Sequence, residues 1–493
     1  MLNQKEGFFV KKFKKAMALS LALAMGLSMV ACGDKKEDTT AAPATEATEA
    51  DTEATEADTE ATEATEADTE ATDTEAPAAG GIAAPSTDGW DDSKKIYAYS
   101  WDDDFQKKLN VILDAYPEYK DYVEYVNLGV ASEESLEAIT TAFDSDKYPS
   151  LIPADVGSAK YWTEDDEKTA NLLDLGFTED MWADNYAYSK DYASYNGEMK
   201  AVTWQSTAGS VFYNVKIAEE VFGTSDPDAI QNEIKDWDSF FAAADKLKEA
   251  GYKIVHGPGE VYYAIINAHS EPWVTEVDGK EVVKLDSSVT TFLETAKKLY
   301  DGDYTNNGEM WDGDWAANMG DDGKVFCYFA CPWMIGVFQG NGATDGAWRA
   351  CVGPQSYYWG GTYVSIGKDT PNPELAAFIC YELAFDPQMG VDITNKTGDA
   401  VVNVTANERL ANGEIAADNN GVKFLGGQNP YATWAEAAAG IDQSACTYFD
   451  KNYEALIKEA MNGYNTGTYA TIDDAMAYIY EQSETQLGIP KAE

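Results

Sequence analysis

The sequence predicts an α/β protein folded as two lobes, each assembled from separate stretches of chain. From Ile96 to Val156, short β-branched and aromatic runs alternate with stretches of helical spacing, which signals a largely parallel sheet with helices on both faces. The same alternation starts again after Asn214. Between and beyond the two sets, strand-like residues give way to small polar ones at three places, so both lobes are expected to be discontinuous in sequence.

The chain of 493 residues opens with Lys5, Lys11, Lys12, Lys14 and Lys15, continues with an apolar stretch over 16–30, and reaches Ala31, Cys32 and Gly33. Residues 1–31 read as a signal peptide, too short to span a membrane. Residues 32–90 repeat Thr-Glu-Ala and Ala-Asp-Thr units with almost no large apolar side chain, so burial cannot offset their ordering entropy. They read as an acidic tether that self-repulsion keeps extended. Thr and Asp, with no apolar stripe, argue against a stable helix there. Roughly four hundred residues remain, enough for two large lobes.

Ile96 to Ser100 reads as a strand, followed at once by Trp101. Asp102 to Asp104 start a helix whose Phe105, Leu109, Ile112 and Leu113 share one face until Pro117 stops it. A strand over 122–128, a helix over 132–144 and a strand over 151–156 follow. Ligands of such sheets sit beyond the strand carboxyl ends, which points to Trp101 and Asp155. The central stretch 201–214, A-V-T-W-Q-S-T-A-G-S-V-F-Y-N, turns small and polar midway. It reads either as a strand leaving one lobe, crossing a hinge and entering the other, or as an ordinary buried strand with a Gly bulge. Residues 355–366 and 424–429 read as second and third crossings. They divide the chain into lobe 1 (91–206 with 362–424) and lobe 2 (207–361 with 425–493). Within lobe 2, Lys253 to His256 reads as a strand and Asp278-Gly279 as a hairpin turn. Asn372 caps a helix begun by Pro373, and Thr471 with Asp474 forms a capping box.

The formal net charge is −51, from 35 Lys and Arg against 86 Asp and Glu, which argues against a nucleic-acid partner. Beyond Cys32 the cysteines are Cys327, Cys331, Cys351, Cys380 and Cys446, an odd number without metal-type spacing. Buried free thiols are favoured over a disulfide involving Cys351. The Asp-Gly-Asp at 312–314 lacks the spacing and closing Glu of a calcium loop and reads as a solvated turn. His256 and His269 sit in no metal or triad spacing, and no nucleophile elbow or phosphate loop is present. No cofactor or metal is expected.

Aromatic excess stands out, with 13 Trp and 30 Tyr. Trp101 beside Asp102, Trp204 beside Gln205, Glu260 near Tyr262, and Asn429 near Tyr431 each pair a flat apolar face with a planar hydrogen-bonding group. A sugar ring asks for that combination, because its C–H face desolvates against a ring while its hydroxyls need donors and acceptors. Two other readings use the same residues: a glycoside hydrolase with Asp155 and Glu260 as paired carboxylates, and a cage for a cation such as a polyamine.

Met29-Val30-Ala31-Cys32 resembles the lipobox of bacterial lipoproteins, with Met29 where Leu is commoner. The alternative is a secreted protein cut after Ala31 with Cys32 free. With the tether, the two lobes and the phrases W-Q-S-T-A-G-S-V-F-Y-N, D-W-D-S-F, C-P-W and W-G-G-T-Y, the chain resembles the solute-binding lipoproteins (family 1) of carbohydrate ABC importers. It is also similar in layout to maltose-binding protein. The resemblance implies a type II periplasmic-binding-protein-like fold and a monomer without catalysis. It further implies a lipid anchor at Cys32 on the outer face of the cell membrane, and a sugar passed to a membrane permease. Carried over, it implies binding roles for Trp101, Asp155, Gln205, Glu260, Tyr262, Trp333 and Trp434. Trp204, Trp359 and Tyr431 complete the candidate set. Cys331 stands where the family has glycine before Pro332-Trp333, and Tyr431 competes with Trp434 for the stacking role.

Overall fold

The computed structural model describes residues 81–492. The signal peptide, Cys32 and most of the predicted tether lie outside the described residues. The tether's last part, 81–90, lies against the folded body: Tyr119 Oη donates to Pro85 O at 2.7 Å, and Trp90 meets Tyr122 edge-on at 5.0 Å. Ile82, Pro85 and Trp90 bring apolar surface that the Thr-Glu-Ala repeats lack.

Eight strands build the two main sheets: β1 (Ile96–Ser100), β2 (Val123–Asn127), β3 (Pro149–Asp155), β4 (Ala201–Thr203), β5 (Ser210–Asn214), β6 (Cys327–Ala330), β7 (Trp348–Cys351) and β8 (Thr362–Ile366). The first sheet has the order β2-β1-β3-β8-β4 and the second β6-β5-β7. The expectation of largely parallel sheets holds for β1, β2 and β3 only. β8 is antiparallel to both β3 and β4, and the second sheet is antiparallel throughout. The reason is topological: a chain that leaves the first sheet through β4 and returns to it through β8 must run the opposite way.

The central stretch is therefore a crossing. β4 ends in the first sheet at Thr203 and β5 starts the second at Ser210. The return segment runs beside it: Gly209 N donates to Tyr357 O (2.7 Å), Trp359 N to Thr207 O (3.1 Å) and Thr207 Oγ1 to Gly360 O (3.0 Å). Gly209 is required by proximity, since a Cβ there would lie 2.2 Å from the Tyr357 ring. Gly361 has φ +119°, a conformation that side chains disfavour.

The predicted third crossing at 424–429 makes its own contact with the second sheet. Gln428 clasps β7, donating from Nε2 to Ala350 O (2.7 Å) and accepting from Ala350 N at Oε1 (3.0 Å). The helix Tyr431–Ala439 then packs on the helix Val404–Ala411, and its Ala437 and Ala438 share a buried cluster with Ala208 of the first crossing.

Local signals hold elsewhere. Helix Asp104–Ala115 buries Phe105, Leu109, Ile112 and Leu113 as spaced. The turn at Asp278-Gly279, both with positive φ, joins paired strands Val274–Val277 and Lys280–Val283. Asn372 caps helix Pro373–Ala384, and the Thr471–Asp474 capping box forms. Lys253–His256 is no full strand, forming only a bridge from Lys253 to Val325. All five described cysteines are free thiols, four of them buried. Asp312 of the Asp-Gly-Asp turn caps the helix Gly313–Ala317 through Trp315 N. Among the described residues no helix is long and apolar enough to cross a membrane.

Candidate ligand-binding cleft

A cleft of about 570 Å³ opens beyond the carboxyl ends of β1 and β3, beside both crossings. Six predicted residues line it: Trp101, Asp155, Gln205, Tyr262, Trp333 and Trp359. Trp101 stands at the end of β1, where the chain turns into helix Asp104–Ala115. Asp102, Asp103 and Asp104 continue that rim.

Asp155 ends β3 and caps the helix Val156–Thr163, its Oδ2 accepting from Gly157 N at 3.0 Å. Burial pushes its carboxyl up to about 6, while Gly157 N–H and the Lys451 charge oppose the rise. Gln205 lies in the crossing itself. Its Nε2 donates to Asp399 Oδ2 (3.1 Å) and its Oε1 accepts from Thr362 Oγ1 (3.3 Å), so its amide is oriented from behind.

The opposite wall is aromatic. Trp333 is set where the chain leaves β6 and enters helix Met334–Gly340, and its Nε1 donates to Trp359 O at 3.0 Å. Trp359 stands edge-on to Trp333 (5.3 Å, 71°) and stacks on Tyr263 (4.7 Å, 24°). Tyr263 in turn donates to Glu454 Oε1 at 2.9 Å. Burial works to raise the Glu454 carboxyl, but Lys451 (2.9 Å) and Lys458 (2.7 Å) overcome it and hold the group at about 2. Each ring is thus fixed by a second contact before any ligand arrives, as a binding site requires.

Four predicted residues lie outside the cleft. Trp204 is fully buried between Phe105 and Asp399. Glu260 is buried, with Oε2 accepting from Trp315 Nε1 at 3.0 Å, and burial pushes its carboxyl up to about 8. Tyr431 bonds Asn419, and Trp434 is packed edge-on to Tyr431. An aromatic next to a planar polar group serves a core as well as a cleft, because a buried indole or phenol also needs a hydrogen-bond partner.

The structure adds residues the sequence does not single out. Glu454 sits in D-K-N-Y-E-A-L-I-K, which reads as an ordinary charged helix face. Trp311 is 56% exposed at φ +72° and lies parallel to Trp333 at 6.3 Å. Its only signal is the aromatic, acidic loop around it.

Residues 100–423 match the model of the family described as bacterial extracellular solute-binding protein. The chain belongs to that family. Among solved structures, this binding protein is similar to an extracellular solute-binding protein of family 1 (TM-score 0.65, 14% identity, covering 80% of this chain and 99% of the other). It is also similar to the galacto-N-biose/lacto-N-biose I-binding protein of the ABC transporter from Bifidobacterium longum, in complex with lacto-N-biose. There the TM-score is 0.61 at 16% identity, over 82% of this chain and 100% of that one. A third is the ABC transporter associated binding protein from B. animalis subsp. lactis Bl-04 in complex with β-1,6-galactobiose (TM-score 0.59, 20% identity, 81% and 100% covered). No curated protein matches by sequence. The predicted two-lobed α/β fold is thereby the fold of the molecule.

Proposed function

We propose that this binding protein captures a neutral carbohydrate, an oligosaccharide of few rings, between its lobes without altering it, and hands it to the permease of an ABC importer. The observation that carries the reading is one cleft lined both by the rings of Trp101, Trp333 and Trp359 and by the polar groups of Asp155 and Gln205. Flat plates and fixed donors and acceptors suit a sugar ring. The cleft volume lies in the ~300–1,000 Å³ range of small-molecule sites. The sugar complexes among similar structures point the same way. Because the cleft is flanked by the two hydrogen-bonded crossings, binding is coupled to lobe closure.

The lobes take the bounds read from the sequence, 91–206 with 362–424 and 207–361 with 425–493; the clasp of Gln428 on β7 supports lobe 2 from 425 onward, and helix Tyr431–Ala439 adds a contact to Val404–Ala411 across the lobes. The protein acts as a monomer tethered by a lipid on Cys32 to the outer face of the membrane. Glu260, buried outside the cleft, cannot face Asp155 across a bound sugar, which weakens the hydrolase reading. The cation reading draws on Asp102, Asp103 and Asp104 at the rim.

A calorimetric screen of disaccharides and oligosaccharides against polyamines tests the proposal. Saturable heat with a neutral sugar is expected; heat with polyamines alone overturns it. For the anchor, Cys32→Ser is expected to release the protein from membranes into the medium.

A further inference from the structure

One end of the cleft carries side chains that the carbohydrate reading does not use. His269 follows the helix Tyr262–Ile266, while Asp450 begins the helix Asp450–Thr466 and Cys446 lies in the loop four residues before it. One ligand atom from each, an imidazole nitrogen, a thiol sulfur and a carboxylate oxygen, all lie within 4.8 Å of one another.

The imidazole is the informative member. His269 is 5% exposed, and its Nδ1 lies 3.0 Å from Ile266 O. A carbonyl oxygen can only accept, so Nδ1 carries a proton and Nε2 is the nitrogen left to bind. Nε2 has no hydrogen-bond partner, although it lies 3.5 Å from Asp450 Oδ2. A neutral imidazole would there set a lone pair against a carboxylate, an arrangement that a cation between them relieves. The other two groups are also oriented from behind. Asp450 accepts from Thr447 N (3.0 Å) and Thr447 Oγ1 (2.8 Å). Tyr358 Oη lies 3.0 Å from Cys446 Sγ and can donate to a thiolate. Trp273, 4.8 Å from the imidazole, packs against it.

We propose that His269, Cys446 and Asp450 form a three-ligand site for a divalent transition-metal ion of the zinc type, with a fourth position open to the cleft. Nitrogen, sulfur and oxygen donors together suit zinc and its neighbours, whereas calcium and magnesium take oxygen alone. Around a tetrahedral ion with bonds of ~2.0–2.3 Å the ligand atoms stand roughly 3.3–3.8 Å apart. Closing from the present separations therefore needs about 1 Å, within the reach of side-chain rotation at Cys446 and Asp450. Binding displaces the Cys446 thiol proton to solvent, leaving the thiolate on the ion. Three protein ligands leave one position free, and it faces the space where a solute would lie.

The test uses the full chain with Cys32→Ser, which removes the one thiol outside the described residues and leaves Cys446 and four buried cysteines, and contains no sugar, so its outcome is separate from the carbohydrate reading. Titration with cobalt(II) is expected to saturate at one ion per chain with a near-ultraviolet thiolate-to-cobalt band, which zinc then abolishes by displacement. Cys446→Ser is expected to lose the band and His269→Gln to weaken binding about 100-fold. Calcium and magnesium should not compete. Should Cys446→Ser fail to fold, zinc protection of Cys446 against alkylation in the otherwise unaltered chain takes its place. No stoichiometric cobalt binding, a band that survives Cys446→Ser, or unprotected Cys446 overturns the proposal.

Discussion

The indole nitrogen of Trp204 donates to Asp399 Oδ2 at 3.2 Å, and the same oxygen receives Gln205 Nε2 at 3.1 Å and Lys108 Nζ at 3.1 Å. Two consecutive residues of the first crossing are therefore tied to one carboxylate in the first sheet's lobe. Lys108 is itself buried and shares its charge with Asp104 at 2.5 Å. Trp204, a candidate for contact with solute, instead holds the crossing to its foundation.

Asp399→Ala removes the acceptor for three donors and leaves Lys108 with only the half-buried Asp104. Breaking one side of a buried ion pair costs about 3–5 kcal/mol, mostly from the stranded charge. Urea denaturation should show a loss of that size. The double variant Lys108→Met with Asp399→Leu should lose less than Asp399→Ala alone, because it strands no charge; an equal or larger loss would refute the network as described.

Trp333 and Trp434 should separate binding from folding. Trp333 is half-buried in the cleft wall, so Trp333→Ala is expected to weaken solute affinity about tenfold or more, as for other aromatic anchors. Trp434 is fully buried, and Trp434→Ala should cost about 3–5 kcal/mol of stability with the affinity of the folded fraction unchanged. Calorimetry and denaturation on both variants check the contrast.

The fold was legible where local chemistry and global position agree. Phe105, Leu109 and Ile112 form one helix face because the period of burial is the helical period, and Gly209 marks a crossing because nothing larger fits beside Tyr357. At the third crossing, Gly426-Gly427, both at positive φ, have the same composition whether they change lobe or end the helix Asn420–Phe424. The cleft was legible by half for a related reason. Position at a strand end found Trp101 and Asp155, and the second crossing found Trp359. The rule of ring beside polar group could not tell Tyr262 from Tyr431, nor the resemblance Trp333 from Trp434, since distance from the cleft is set by long-range packing. Glu454 was invisible, because a Glu between two Lys on a helix looks the same on a surface and behind a tyrosine.

Glu260 gives a pH signature of one sign. Its carboxyl titrates near 8 in the folded protein because burial disfavours the charge, against an ordinary value of 4.5. Between those values the folded state holds a proton that the unfolded state has lost, so stability is full below about 4.5 and falls as pH rises toward 8, by at most about 1.4 kcal/mol per unit. Glu260→Gln keeps an acceptor for Trp315 Nε1 and never ionises. It should match the wild type at pH 4 and exceed it in melting temperature at pH 8; equal melting temperatures at both would argue that the carboxyl is not strained by burial.

Glu454 gives the opposite sign from the neighbouring wall. Burial alone would raise its carboxyl, yet Lys451 and Lys458 hold it at about 2, below its ordinary 4.5. The unfolded chain therefore binds the extra proton first, and the ion-paired group stabilises the fold fully above about 4.5 and progressively less as pH falls to 2. The half-exposed Lys451 screens part of the interaction, so about 2 kcal/mol at neutral pH is expected from this cluster. Glu454→Gln should lose that amount at pH 7 and draw level with the wild type near pH 2. Because Glu454 Oε1 also accepts from Tyr263, which stacks on Trp359, the same variant should loosen the aromatic wall and weaken solute binding at pH 7. Acid denaturation curves and calorimetry on one preparation read both effects, and a variant whose stability stays parallel to the wild type from pH 7 to pH 2 would show that the two lysines do not govern this carboxylate.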